Sequence, residues 1–391
     1  MAAHSSYGFS GQSRIIACNG SVRMQAGLPN PSNPASNLGT AVHEGGEFSL
    51  HMGVSCHDLI GMTFNKLEFT EDMAFAAQVH VDLIRKIMSE RPNAKLFIEG
   101  KVYLSSIDVE KLWGTADIII IDGDTLFVID YKNGYGLVEV DSNQYSHATH
   151  STISGNAQCV GYAIAAMDTH NLWGTVTKVI TGIVQPNKEH VDGFIRFKTY
   201  TIAELQEWWK VYAAAHTVAI TEDAPTNAGE HCKYCLAKGH CVTRITHVMD
   251  MLKFDKAISR CNADQLIGIY NEIGVIRNTL DAVEEQVVSL ARQGKRVQGR
   301  KLVRGIVKAK CVDESGLIED AIESGIDKSK LYNRKIKGKT DITKIVGKKL
   351  ANKYYITPEA GYSLVPLSDK RPAIMADNKP SAVGKFNPVN K

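Results

Sequence analysis

Two aspartates and a lysine carry the first chemical signal in this chain. Asp117 ends the string Gly114-Thr115-Ala116-Asp117, and the apolar residues Ile118 to Ile121 follow it. Asp122-Gly123-Asp124 then interrupts the pattern before Thr125 to Ile129 runs into Asp130-Tyr131-Lys132. Apolar runs joined by an Asp-Gly signal read as a β-hairpin. A two-residue turn at Gly123-Asp124 sets Asp117 directly opposite Asp130, on one face and with Cβ atoms roughly 4.5–5.5 Å apart. A turn at Asp122-Gly123 makes them diagonal neighbours instead. Lys132, two places past Asp130, points the same way. Two carboxylates and an ammonium converging at one sheet edge suit a divalent cation and a water to be activated. The same residues also fit a solvated hairpin end with a surface ion pair. Against that reading stands the apolar run Leu126 to Ile129, because an unpaired charge at the end of a buried strand is costly. Glu99, inside Leu96-Phe97-Ile98-Glu99-Gly100, is a similar acidic break in an apolar strand.

The cysteines carry the second signal. Cys56, Cys159, Cys261 and Cys311 are scattered and read as isolated thiols, whereas Cys232-x-x-Cys235-x5-Cys241 has ligand spacing. Metal is the expected use of such a set in a cytosolic chain. Cys18 is the candidate fourth thiolate. Four thiolates suit an iron–sulfur cluster and equally a zinc ion held by four cysteines, and His231 or His240 would complete a zinc site of three cysteines and one histidine.

Elements that could position these groups follow from periodicity and punctuation. Residues 1–38 hold Pro29, Pro31 and Pro34 among many Ser and Asn, which predicts an N-terminal strap with little regular structure. A helical stretch opens at Gly39-Thr40-Ala41-Val42-His43-Glu44 with Thr40 as its cap, and a second helix spans Glu71 to Glu90. Strands are expected near Lys95–Leu104, Ala116–Ile121, Thr125–Tyr131, Thr175–Gln185 and Phe194–Thr199. Helices are expected from Asn156 to Thr169, Ile202 to Ala219 and Ala263 to Arg292, with a basic, irregular remainder. This order implies an α/β fold around a mixed sheet flanked by helices.

Composition narrows the class. The chain has 391 residues, 44% apolar and 22% charged, as ordinary globular proteins do. No apolar run reaches membrane-spanning length and the start lacks a signal pattern, so a cytoplasmic protein with no membrane partner is expected. Residues 1–250 hold 18 Lys and Arg against 26 Asp and Glu, a net −8; residues 251–391 hold 27 against 16, a net +11. Two regions are therefore expected, 1–250 and 251–391. The basic half suits a polyanion partner, or simply a solvated lysine-rich surface.

The ordered set Gly39-Thr40-Ala41-Val42-His43-Glu44, Glu99, Gly114-Thr115-Ala116-Asp117, Asp130-Tyr131-Lys132 and Gln158-x-x-x-Tyr162 resembles RecB-like nucleases of the PD-(D/E)XK superfamily, over about residues 10–245. Phage and prophage members of a domain-of-unknown-function family look alike too, also through Gly299-Arg300-Lys301-Leu302-Val303 and Leu364 to Pro372. The resemblance implies a restriction-endonuclease-like core and a metal-dependent deoxyribonuclease, an exonuclease in phage recombination or end processing. It implies that Asp117, Asp130, His43 and the Tyr131 carbonyl hold Mg²⁺ or Mn²⁺, that Lys132 orients or deprotonates the attacking water, and that Glu99 supports a metal or a water. Gln158 and Tyr162, on one helical face, would touch DNA or Lys132. Such nucleases place the Gln helix closer to the Asp-x-Lys strand than here, and Gln144-Tyr145 is the reserve choice. The cysteine set, one distant N-terminal Cys with a C-terminal triplet, resembles the 4Fe-4S staple of AddB-type nucleases. Tyrosines of the basic half could stack on unpaired bases or pack in a core. The implied partners are DNA and a phage single-strand annealing or binding protein. Two other functions fit the same features: a non-catalytic DNA-binding protein that keeps the fold, and a zinc-stabilised interaction protein of phage replication.

Overall fold

The computed structural model describes residues 5–30, 33–110, 112–251, 262–305, 309–331, 336, 338–356, 362–366 and 371–372. In chain order the helices are α1 (Gln12–Ala17), α2 (Ser21–Gln25), α3 (Pro34–Met52), α4 (Glu71–Glu90), α5 (Ala157–Thr169), α6 (Ile202–Ala219), α7 (Val242–Met251), α8 (Ala263–Arg292), α9 (Glu314–Glu323), α10 (Lys339–Val346) and α11 (Lys348–Tyr354). The strands are β1 (Thr63–Phe64), β2 (Leu67–Glu68), β3 (Lys95–Tyr103), β4 (Trp113–Asp122), β5 (Thr125–Tyr131), β6 (Asn143–Ser146), β7 (Ser151–Ser154), β8 (Lys178–Val184), β9 (Ile195–Thr201), β10 (Arg300–Arg304), β11 (Lys310–Cys311), β12 (Tyr355–Ile356) and β13 (Tyr362–Pro366). They form two compact units, 1–279 and 280–391.

The first unit is built on a five-stranded mixed sheet in the order β3-β4-β5-β8-β9. All neighbours run antiparallel except β5 and β8, which are parallel. Parallel neighbours need a crossover, and α5 supplies it. Every β5 residue from Leu126 to Tyr131 is buried, as expected of a central strand covered on both faces. One face packs Leu126 and Val128 against Val160 and Ile164 of α5, with Trp208 and Tyr212 of α6 and Phe9. The other packs Ile118, Ile120, Phe127 and Ile129 against Val42 of α3 and Val81 and Ile84 of α4. The α/β class with helices flanking a mixed sheet thus holds. In the β4–β5 hairpin Asp122 pairs with Thr125, which leaves Gly123-Asp124 as the turn. Gly123, at φ 56, occupies the first turn position, where a left-handed backbone is required.

Three expectations are corrected. Helix α3 begins at Pro34, not near Thr40: Asn33 caps it in a reciprocal box with Ser36, and Pro34 is ready-made for the first helical position. Thr40 lies inside that helix, its hydroxyl donating to the Ser36 carbonyl at 3.1 Å. The strap likewise contains α1 and α2, because Ile15 and Ile16 are fully buried and draw that segment into the fold. The basic remainder is not irregular among the described residues of the second unit. There Leu317, Ala321, Leu331, Ile342, Ala351, Tyr354 and Tyr355 form a core. Strands β10 and β13 pair antiparallel, Leu302 opposite Leu364, so the two C-terminal motifs meet as one ribbon. Cys261 and, within the second motif, Leu367 to Lys370 lie outside the described residues. Among those residues no helix is long and apolar enough to cross a membrane.

Candidate functional site

Register places three acids in a row across β3, β4 and β5. Ile98 pairs with Ile118 and Gly100 with Ala116, so Glu99 stands across from Asp117. Ile118 pairs with Ile129, and one step further Asp117 stands across from Asp130. The inside–outside alternation reverses at this row. Ile118 packs into the α3–α4 core, yet Ala116, two residues earlier, packs into the α5–α6 core. Glu99 takes the strain of that switch, with φ 49 in the middle of a strand. A non-glycine residue held there costs about 1–3 kcal/mol and persists only where surrounding packing enforces it.

The switch gathers Glu99 and Asp117 around His43 of α3. Their ligand atoms lie mutually within 4.8 Å, the one such set of three His, Cys, Asp or Glu residues among the described residues. His43 Nδ1 is 3.8 Å from Asp117 Oδ2 and 4.0 Å from Glu99 Oε1. The Tyr131 N–H donates to Asp117 Oδ2 at 2.7 Å and steadies that carboxylate. The Tyr131 ring meets His43 edge-on at 5.0 Å. Burial, and next the Asp117 charge, pushes the Glu99 carboxyl up to about 7. Crowded, half-sheltered acids of this kind lack countercharge, and two carboxylates with an imidazole fit a hard divalent cation.

Asp130 adjoins this set, close enough for Asp117 and His43 to act on its charge, but its hydrogen bonds go to other partners. Its side chain is 3% exposed, with Oδ2 2.8 Å from Lys132 Nζ. Gln158, at the start of α5, closes a triangle: its Nε2 donates to Asp130 Oδ1 at 3.0 Å and its Oε1 accepts from Lys132 Nζ at 2.9 Å. Burial pushes the Asp130 carboxyl above its usual range, against the pull of Lys132. Burial works against the Lys132 charge too, but Asp130 and then Asp117 hold its pKa above the ordinary value. Short contacts therefore link His43, Glu99 and Asp117 in one set and Asp130, Lys132 and Gln158 in another, and the charges of the two sets act on each other. Gln144, on β6, instead donates to the Ser13 carbonyl at 3.3 Å. Tyr162 is buried in the α5–α6 core against Phe9, their rings 5.0 Å apart.

The four candidate cysteines also meet. Cys18, at the end of α1, is buried and accepts from the Asn227 N–H at 3.3 Å. Burial pushes its thiol up to about 11; the Asn227 bond pulls the other way, and Cys232, Cys235 and Cys241 add to the rise. Further hydrogen bonds tie the strap to this segment: Gly20 N–H to Pro225 O at 2.8 Å and Leu236 N–H to Gln25 Oε1 at 3.0 Å. A tetrahedral zinc ion with Zn–S of about 2.3 Å needs its sulfurs about 3.8 Å apart. Among the described residues no three of these sulfurs come mutually within 4.8 Å.

Comparison with known proteins gives the family. A model described as protein of unknown function DUF2800 matches residues 4–372. The chain belongs to the DUF2800 family. Among solved structures it is similar to a candidate exonuclease from Eubacterium rectale, at 12% identity over 53% of this chain and 77% of that one, with a TM-score of 0.30. It is also similar to the protein SSO0001, at 14% identity over 56% and 93%, with a TM-score of 0.24. At these scores neither likeness carries an argument about function.

Three residues of this DUF2800 member escaped the reading from sequence. His80 of α4 lines the same pocket as His43 and Glu99, and its ring lies 5.5 Å from that of Tyr131. Burial pulls its pKa down to about 4. In sequence it is one more position on an apolar helical face, with no signal beyond its type. Arg14 and Arg244 approach the cysteines, and spacing could have found them: each stands one helical turn from a cysteine, at Cys18 and Cys241.

Proposed function

We propose that this chain is a metal-dependent DNA nuclease, an exonuclease that hydrolyses phosphodiester bonds in phage recombination or DNA end processing. The observation that carries the reading is the acidic row Glu99, Asp117 and Asp130, with His43 beside the first two and Lys132 beside the third. Glu99, Asp117 and His43 would hold Mg²⁺ or Mn²⁺, with Asp130 and the Tyr131 carbonyl completing the shell. Bound there, the cation would polarise a phosphate oxygen and lower the pKa of an attacking water. Lys132, an ammonium with three donors and no lone pair beside Asp130, orients that water and offsets charge building on the phosphate. Gln158 fixes the Lys132 head and so sets its angle of approach. The basic second unit would hold DNA backbone without reading sequence. The phage setting and a single-strand annealing partner rest on sequence resemblance alone. Cys18, Cys232, Cys235 and Cys241 would bind a 4Fe-4S cluster that staples the strap to the end of the nuclease unit, a reading supported by the likeness of this cysteine set to that staple.

The test is loss of linear duplex DNA with Mg²⁺ or Mn²⁺, in wild type, Asp117→Asn and Lys132→Met. Loss with wild type alone is expected, abolished by a chelator and restored by added Mn²⁺. DNA loss that is equal in all three proteins, or indifferent to chelator, would overturn the assignment.

A further inference from the structure

We propose that Arg14 and Arg244 are the cationic partners of the cysteine-bound centre, donating N–H···S bonds and setting its charge balance. The proposal rests on the reading that the four cysteines hold a 4Fe-4S cluster. Arg244 is 1% exposed, and both its Nε and Nη1 are buried without a hydrogen-bond partner; its Nη2 reaches only the Val275 carbonyl, at 3.4 Å. Arg14 Nε is likewise buried and unpartnered. Neither guanidinium pairs with a carboxylate among the described residues. Arginine does not shed its proton in a protein. A buried guanidinium with free donors therefore calls for an anion at that place, because an unmet charge away from water is strongly destabilising.

Once bound to a cluster, the neighbouring cysteines would supply that anion as thiolates. Arg14 lies four residues before Cys18 on α1, where the Cys18 N–H donates to the Arg14 carbonyl at 2.7 Å. Gly11 makes room for it: a Cβ there would sit 3.1 Å from Arg14 Nη2. Arg244 lies three residues after Cys241 in the first turn of α7, which the Ile245 N–H to Cys241 O bond at 3.1 Å begins. The electrostatic pairing agrees, with Arg14 acting on Cys235 and Cys18, and Arg244 on Cys232 and Cys235. Four thiolates on an oxidised 4Fe-4S core carry a net charge of about −2, which two guanidiniums cancel. Reduction adds one negative charge, so the same cations favour the reduced form and raise the reduction potential.

The test compares anaerobically purified full-length wild type with Arg14→Met, Arg244→Met, Arg14→Gln, Arg244→Gln and Lys233→Met. Lys233 is an exposed cation between two of the ligands and controls for general charge. Readouts are iron and sulfide content, the reduction potential from the visible spectrum, and the rate of iron loss to a chelator. Both Met variants are expected to shift to lower potential and release iron about tenfold faster. The Gln variants keep N–H donors, so a smaller shift in the same direction is expected; they decide the matter if the Met variants do not fold. Lys233→Met should match wild type. Arginine variants with the potential and iron release of wild type would overturn the proposal while leaving the cluster standing. Wild type that binds zinc instead overturns the cluster reading, and the arginines are then judged by zinc release. Wild type with no metal overturns both.

Discussion

Lys132→Met keeps most of the side chain's length and removes one charge, which leaves Asp130 alone in the core. In the folded chain Lys132 Nζ sits 2.8 Å from Asp130 Oδ2, and the Asp130 side chain is 3% exposed. Breaking a fully buried pair from one side costs about 3–5 kcal/mol. Lys132 is 26% exposed, so water screens part of the loss; the expectation is about 2–3 kcal/mol. Asp130→Asn removes the charge instead, leaves Gln158 able to bond the amide oxygen, and should cost under about 1 kcal/mol. In the double variant no buried charge is stranded. Its loss should be about 1 kcal/mol, giving a coupling of about 2 kcal/mol. The assay is urea unfolding of the four proteins in chelator at neutral pH, followed by tryptophan fluorescence. The chain's 4 tryptophans, Trp113, Trp173, Trp208 and Trp209, all lie in the first unit, so the signal reports that unit alone. Single losses that add to within about 0.5 kcal/mol would refute the buried pair. All three variants should fail to degrade DNA, and activity retained in Lys132→Met would remove the lysine from the reaction.

Two further outcomes follow from the packing. His216 is fully buried, with Nε2 2.9 Å from Gln12 Oε1, and burial pulls its pKa to about 4. The unfolded chain takes up this proton near pH 6.5 and the folded chain does not, so stability is retained above that pH and lost as pH falls toward about 4, by up to about 3 kcal/mol; His216→Gln should flatten the difference in that window, and a profile identical to wild type would refute it. Gly161→Ala would set a Cβ 2.6 Å from Phe9 and 3.0 Å from the Tyr212 hydroxyl. Overpacking of this kind costs about 1–3 kcal/mol; Phe9→Leu in the same chain should recover part of it, and a Gly161→Ala protein as stable as wild type would mean the contact is loose.

Much of the sheet was legible because its signals are local. The Glu71–Glu90, Thr125–Tyr131, Ile202–Ala219 and Ala263–Arg292 spans coincide with the elements found. Each carries an uninterrupted period or a clear stop, and α6 adds a capping box at Thr201 and Glu204. The start of α3 was misread because Gly39-Thr40 imitates a boundary while Asn33-Pro34 is one. The short helices of the second unit were missed because each buries very few residues, Ile342 alone in α10 and Ala351 with Tyr354 in α11. Periods that short barely stand above a lysine-rich background. His80 owes its importance to what is buried around it, and burial is not written in a residue's type; Arg14 and Arg244 had a spacing signal, one helical turn from Cys18 and Cys241.

By itself the sequence determined that Asp117 lies beside Asp130, directly opposite or diagonal according to the turn, since an Asp-Gly signal and a two-residue period narrow the hairpin register to two choices, of which the structure takes the turn at Gly123-Asp124. Only the tertiary structure decided how the acids divide. Helices α3 and α5 pack on opposite faces of the sheet, and the alternation reverses where Glu99 faces Asp117. His43 thereby joins Glu99 and Asp117, while Asp130 bonds to Lys132 and Gln158. The physical reason is range: a turn acts through bonds a few residues long, whereas the choice of face depends on contacts between segments far apart in the chain.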